Sequence, residues 1–163
     1  MKIELVEHNP IWIQEFEKER TVIVATLPGV VVHHVGSTAV EDLLAKPVMD
    51  ICLEAGHFPP TEFDYIQLAS IGYENRGESG VAGRIWFTKG APRKFNLHYC
   101  PAGSIVARTQ LAFRDELRQS HSLRREYESL KLRFAPGEEI DSALYASAKD
   151  EIIQRIKIKR QLE

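Results

Sequence analysis

Residues 47–53, Pro-Val-Met-Asp-Ile-Cys-Leu, constrain this chain more than any other stretch. The run is apolar on both strand faces apart from Asp50, the pattern of a central strand in a sheet covered by helices on both sides. Alternate side chains of a strand point to opposite faces, so Asp50 and Cys52 share one face while Met49, Ile51 and Leu53 share the other. A lone carboxylate there is costly unless it is hydrogen-bonded, paired with an arginine or lysine, or bound to a metal.

The flanking sequence supplies the other parts of an α+β chain. A short strand is predicted over Ile3–Val6. A helix follows, with Asn9 as its cap, Pro10 at its first position and an apolar side of Ile11, Trp12, Phe16 and Ile23, stopped by Pro28-Gly29. Val30–Val35 reads as a strand running into Gly36-Ser37, with Ser37 or Thr38 capping a short helix over Ala39–Ala45. Thr61 caps a helix that Gly72 closes after Ile71, and Tyr73–Asn75 is a short strand. Gly77–Gly83 is a flexible turn. Arg84–Thr88 and Lys94–Tyr99 form an antiparallel pair. From Ser104 onward the chain is helical, with breaks near Ser120-His121 and near Ala135-Pro136-Gly137. Strands mixed with helices and then helices alone place the chain in the α+β class, as one domain over residues 1–163 with 104–163 its helical part.

The 163 residues balance 21 Lys and Arg against 23 Asp and Glu, a formal charge of -2, so no global field draws the chain to nucleic acid or an anionic membrane. Any anion site is therefore local. No apolar run reaches the ~18 residues of a membrane span. Cys52 and Cys100 sit in apolar strand surroundings and read as buried free thiols, in keeping with a cytoplasmic, soluble protein.

Several positions carry chemistry. Gly36 permits a tight backbone and close ligand approach, and Ser37 and Thr38 add hydroxyls and N–H groups suited to an anion; the same residues also suit an ordinary strand-to-helix turn. Lys94, Asn96 and His98 alternate with Phe95, Leu97 and Tyr99. Arg114/Arg118, Tyr127/Lys131 and Tyr145/Lys149 each recur at one-turn spacing, on one helix face. Such pairs either clamp a phosphate or lie along a solvated surface.

These residues together resemble the GrpB family. The resemblance rests on Asn9-Pro10-x-Trp12 with Phe16, Gly36-Ser37-Thr38-Ala39-Val40, Ala45-Lys46-Pro47 with Asp50-Ile51, Leu97-His98, Phe113-Arg114-Asp115, and the two Tyr-x-x-x-Lys spacings at 127–131 and 145–149. It runs from about residue 5 to residue 155. The family is grouped with the nucleotidyltransferase-like fold, which implies a mixed sheet with flanking helices and a C-terminal helical segment. In active nucleotidyltransferases a Gly-Ser turn meets the triphosphate, two carboxylates two residues apart hold magnesium, and a third comes from a neighbouring strand. Carried over, Gly36 and Ser37 match the turn and Asp50 the first carboxylate. Position 52 is Cys52, and the neighbouring strand offers Asn96 and His98 but no acid. Glu41-Asp42 stand where Pro-Gly is usual, and Tyr99 where a small aliphatic residue is usual.

The resulting expectation is a protein that binds a nucleotide or another phosphorylated small molecule, with nucleotidyl or phosphoryl transfer as the reaction class if it is an enzyme. Gly36, Ser37, Thr38, Lys46, Lys94, Arg114 and Lys131 would meet the phosphate, while Asp50 and His98 would do the chemistry, with Mg2+ on Asp50. The alternative is a degenerate nucleotidyltransferase-fold protein acting as a ligand sensor or interaction module. A soft-metal site of Cys52, His98, Asp50 and His34 matches no tight ligand spacing. Substrate, acceptor and oligomeric state are not encoded in any motif.

Overall fold

The computed structural model describes residues 4–134 and 142–162. Helix α1 (Ile11–Thr26) precedes strand β1 (Val31–Val35). After a single 3-10 turn (Ser37–Ala39) come β2 (Met49–Ala55), α2 (Glu62–Ser70), β3 (Glu74–Asn75), β4 (Ile85–Lys89) and β5 (Phe95–Pro101). Helices α3 (Ile105–Gln119), α4 (His121–Arg133) and α5 (Ser142–Arg160) complete the chain. The strands form one five-stranded sheet in the order β1-β2-β5-β4-β3. Among the described residues only the β2–β5 pair is parallel. This is the mixed α+β architecture expected from the sequence.

Register follows from burial. Met49, Ile51, Leu53 and Ala55 of β2, with Phe95, Leu97 and Tyr99 of β5, pack against Trp12, Phe16, Ile23 and Leu27 of the α1 region and Leu68 of α2. The opposite face carries Cys52 and Cys100, which are free thiols packed against Ala107 of α3. A one-residue slip would drive every apolar side chain to the wrong face, so the pairing is tightly specified. The third apolar cluster joins Val40 and Leu43 to Phe113, Leu117, Tyr127, Ile152 and Ile156, tying α3, α4 and α5 to the segment after the turn.

Helix boundaries are set by caps. Asn9 Oδ1 accepts from Ile11 N (3.1 Å), and Pro10 precedes the helix rather than opening it. Thr61 and Asp64 make a reciprocal capping box. Ser104 and Ser120 cap α3 and α4, with their hydroxyls accepting from Ala107 N and Leu123 N. Tyr99 differs from the usual small residue because its hydroxyl donates to buried Asp64 (3.0 Å), pinning α2 to the sheet.

Three further expectations differ. No helix spans residues 39–45: the turn ends at Ala39, Val40 is extended, and Asp42 adopts φ +58°. Lys94 precedes β5 instead of sharing its polar face, and its ammonium reaches Glu15 of α1 (2.9 Å). Glu19 interrupts the apolar side of α1 and is buried by accepting from Tyr73 Oη (2.9 Å) and Lys89 Nζ (2.7 Å), whereas Ile11 is 48% exposed. The break expected near Ala135-Pro136-Gly137 lies outside the described residues, as does Ile3 of the first strand; Val6 forms an antiparallel bridge with Ala45. Among the described residues no helix is long and apolar enough to cross a membrane.

Candidate functional site

The end of β1, the 3-10 turn, the start of β2, the middle of β5 and helices α3, α4 and α5 enclose a cavity of about 430 Å³. Gly36, Ser37, Thr38, Lys46, Asp50, His98 and Lys131 line it, bringing together seven of the nine residues singled out from the sequence. Asn96, Gln110, Phe113, Tyr127, Tyr145 and Lys149 also line it.

The turn meets β2 at Asp50. Gly36 has φ +74° and ψ -173°, a region essentially restricted to glycine. Its missing side chain makes room for the carboxylate, since a Cβ at Gly36 would lie 2.5 Å from Asp50 Oδ2. Thr38 is buried, with its hydroxyl 2.9 Å from His34 Nε2. Burial pulls the His34 imidazole down to about 4, against the charge of Asp50, so this ring is neutral. It stacks on Phe16 with centroids 4.7 Å apart.

Asp50 is the only acidic side chain among the described cavity-lining residues. Burial works to raise its pKa, but hydrogen bonding to His98, the Lys149 charge and a hydrogen bond from Asn96 outweigh that and hold it below the usual carboxylate value. Two relays from β4 orient these partners. Arg84 Nη1 donates to His98 Nδ1 (2.6 Å), leaving Nε2 as the N–H that faces Asp50 Oδ1 at 3.5 Å. Trp86 Nε1 donates to Asn96 Oδ1 (3.2 Å), leaving the Asn96 amide N–H to serve Asp50.

The cations come from α4, α5 and the loop before β2. Lys131 donates to Ser37 Oγ and to the Leu44 carbonyl (2.8 Å). Its ammonium lies 4.6 Å from the Tyr127 ring centroid, and that of Lys149 lies 6.0 Å from the same centroid. Burial lowers Lys131 to about 7, helped by the neighbouring charges of Lys149 and Lys46 and opposed by Asp50 and Glu128. Tyr127 is buried and its phenol raised for that reason; its hydroxyl lies 3.4 Å from that of Tyr145. The two Tyr-x-x-x-Lys spacings thus deliver both tyrosines and both lysines to one cavity. That spacing was the available sequence signal for Tyr127, Tyr145 and Lys149; nothing local marked Gln110 or Trp86, and Arg84 stood out only as one more cation, not as the donor to His98.

Lys94 and Arg114 do not line the cavity. Lys94 pairs with Glu15. Arg114 bonds Asp115 Oδ1 (2.9 Å) and the His34 carbonyl (3.2 Å), while Arg118 donates to the Ala39 carbonyl (2.9 Å). These two arginines brace the turn from behind through its flanking carbonyls. Asp42 also faces away and pairs with Arg125 of α4 (3.2 Å). Cys52 is fully buried beneath α3, and among the described residues no group of three or more His, Cys, Asp or Glu is placed to hold a metal.

Residues 2–159 match the family described as GrpB protein. The UPF0157 protein YqkA of Bacillus subtilis is 34% identical over 157 residues, covering 94% of this chain but 46% of that protein, so the chain spans about half the length of this relative. The crystal structure of conserved protein GrpB from Enterococcus faecalis superposes with a TM-score of 0.82 at 29% identity, covering 96% of each chain. A cytoplasmic RNA terminal U-transferase is similar at a TM-score of 0.53 and 15% identity, covering 77% of this chain and 40% of that one. At that identity the likeness is one of fold, and the fold is nucleotidyltransferase-like.

Proposed function

The chain belongs to the GrpB family, and from that premise we propose that its cavity binds a nucleotide or another phosphorylated small molecule, with nucleotidyl or phosphoryl transfer as the reaction class. One observation carries this reading: Ser37, Lys46, Lys131 and Lys149 converge beside Asp50 in a chain whose overall charge is -2. A local concentration of ammonium groups on a half-apolar cavity is what recognition of a phosphorylated organic molecule requires.

Each residue has a chemical part. Lys131 and Lys149 neutralise phosphate oxygens, and the Ser37 hydroxyl donates to one of them once Lys131 turns to the ligand. Gly36 keeps the backbone open beside Asp50. Asp50, held ionised, accepts the proton of an attacking hydroxyl, and the His98 N–H steadies the carboxylate as it does so.

The fold family implies magnesium, with Asp50 as its ligand. Magnesium takes oxygen donors, commonly one or two carboxylates with substrate phosphates, and two-metal transfer needs carboxylates that bridge the pair. Asp50 supplies one carboxylate, and position 52 supplies a buried thiol. This donor set does not fit a bridged pair.

The second reading, a ligand sensor or interaction module without turnover, is favoured by that same buried thiol. A thermal-shift screen tests the binding common to both readings. A ligand at a hundredfold excess over its Kd stabilises by about 2.7 kcal/mol. Nucleoside triphosphate with magnesium is expected to raise Tm, and a flat response across nucleotides and phosphorylated metabolites defeats the proposal. Asp50→Asn then divides the readings: turnover lost with binding retained supports transfer, whereas a wild-type protein that binds and never turns over supports the sensor.

A further inference from the structure

We propose that the cavity takes its ligand as a bare phosphate monoester dianion, with Lys131, Lys149 and Lys46 occupying the role that a divalent cation plays in metal-dependent phosphate sites. This rests on the reading of the cavity as a phosphate site and narrows it to a ligand class and a mode of charge neutralisation.

Two N–H donors already approach the Asp50 carboxylate. His98 Nε2–H and the Asn96 amide both face the carboxylate, and each is fixed in that orientation by its own donor, Arg84 at 2.6 Å and Trp86 at 3.2 Å. Arg84 is itself buried, so the His98 tautomer is locked from within the protein. A cation on Asp50 would face the positive ends of two N–H dipoles that cannot rotate away without breaking both relays.

Among the described residues no second carboxylate lines the cavity. Cys52 is fully buried against Val35 and Ala107. The next acid on that face of β2, Glu54, is occupied by His33 Nε2 (2.7 Å) and Gly103 N (2.9 Å). The cavity instead presents ammonium groups, two of them sharing the Tyr127 ring at 4.6 and 6.0 Å. These would repel a divalent ion and attract an anion. Among the described lining residues, three lysines against one carboxylate leave two positive charges in excess once Lys131 is protonated on anion binding. A phosphate monoester above its second ionisation, at about pH 6, carries the matching two negative charges. A free triphosphate carries more and ordinarily travels with magnesium.

The test is calorimetric titration of the intact protein with AMP and, separately, with inorganic phosphate, each in EDTA and in excess magnesium. AMP is expected to bind in both conditions with Kd values within about threefold of each other. Lys149→Ala, with its fold checked by circular dichroism, is expected to weaken AMP about tenfold to a hundredfold in EDTA, the loss of a charge-assisted hydrogen bond. The mouth variant Lys46→Ala gives a second, milder reading of the same loss. Manganese(II), followed by its paramagnetic resonance signal, is expected to remain free in the presence of unliganded protein. AMP tighter than inorganic phosphate supports the proposal with a nucleotide as ligand, and equal affinities support it with the phosphoryl group alone being read. Binding that appears only with magnesium overturns the inference and leaves the phosphate-site reading standing. So does manganese that binds the unliganded protein and is released by Asp50→Asn. If AMP, inorganic phosphate and magnesium ATP all fail to bind in either condition, the phosphate-site reading falls and this inference falls with it.

Discussion

A Cβ on Gly36 would stand 2.5 Å from Oδ2 of Asp50, closer than real Cβ atoms come to a neighbouring atom. The glycine is therefore a steric requirement of the carboxylate as well as of the turn, where φ is +74°. Gly36→Ala adds backbone strain of about 1–3 kcal/mol and also displaces Asp50 from its partners. The two costs are coupled. Asp50→Ala removes the obstructing oxygen, so the double variant is expected to lose less stability than the sum of the single losses, by about 0.5–3 kcal/mol. Urea denaturation of the four proteins measures that difference; strict additivity would show that the close approach is relieved some other way.

Lys131 links binding to protons. Its amine titrates at about 7 in the free protein, against an ordinary value near 10.5. Below pH 7 the ammonium is already present and an anion finds it charged. Above pH 7 the anion must recruit a proton, because the bound phosphate raises the lysine. Calorimetry in buffers of different ionisation enthalpy should show proton uptake on AMP binding at pH 8 and little from Lys131 at pH 6. Lys131→Arg, charged throughout, is expected to lose the uptake; retention of it would assign the proton elsewhere.

The same shift makes Lys131 a stability cost. The folded protein binds fewer protons than the unfolded chain between pH 7 and 10.5, so this group's contribution to stability rises with pH through that window. Lys131→Met removes the buried charge. It is expected to stabilise the protein at pH 6 by about 1–2 kcal/mol, within the range seen when buried ions are replaced by apolar groups. The gain shrinks as pH climbs above 7, and AMP binding is lost. A less stable variant at pH 6 would mean that the bonds to Ser37 and Leu44 outweigh the desolvation of the charge.

Glu116 ties α5 to α3. Its buried carboxylate accepts from Lys159 (2.7 Å) and Arg160 (2.8 Å), which hold it below the ordinary glutamate value against the opposing effect of burial. Both partners are partly exposed, so Glu116→Gln is expected to cost about 1–3 kcal/mol at pH 7, less than a fully buried pair. The depressed pKa means that this stabilisation is present above the unfolded value near 4.5 and is lost as pH falls through the folded one. Because Tyr145 and Lys149 sit on α5, the variant should also weaken AMP. Chemical denaturation at pH 7 and pH 3 together with AMP titration checks both parts.

Cys52 marks the limit of the resemblance to metal-dependent transferases. Cys52→Asp, which would restore a carboxylate two residues after Asp50, places an unpaired charge beneath α3 and is expected to cost at least ~3 kcal/mol. Cys52→Ala should cost under about 2 kcal/mol, being a small apolar truncation. Equal stability of the two, measured by guanidinium denaturation, would show that position 52 has access to solvent or to a counter-ion.

Much of the scaffold was legible locally. The apolar run at 47–53 specified a central strand, and the Thr61 cap and the Ser120 break marked helix ends, because each depends on neighbours within a few residues. The Gly36-Ser37 turn, Asp50 and the Tyr-x-x-x-Lys spacings were visible for the same reason. The helix expected over 39–45 failed because packing of Val40 and Leu43 against α3 and α4 outweighs local preference.

What the sequence by itself determined was the alternation that seats Asp50 and Cys52 on one face of a buried strand, and the helical period that puts each tyrosine beside its lysine. Only the tertiary structure decided what those residues face. It sent Lys94 to Glu15 and Arg114 to the His34 carbonyl, buried Cys52 beneath α3, and aimed His98 and Asn96 at Asp50 through Arg84 and Trp86. Periodicity dictates which side of an element a residue occupies. Partners dozens of residues away are chosen by strand register and helix docking, and those are set by burial of the whole core.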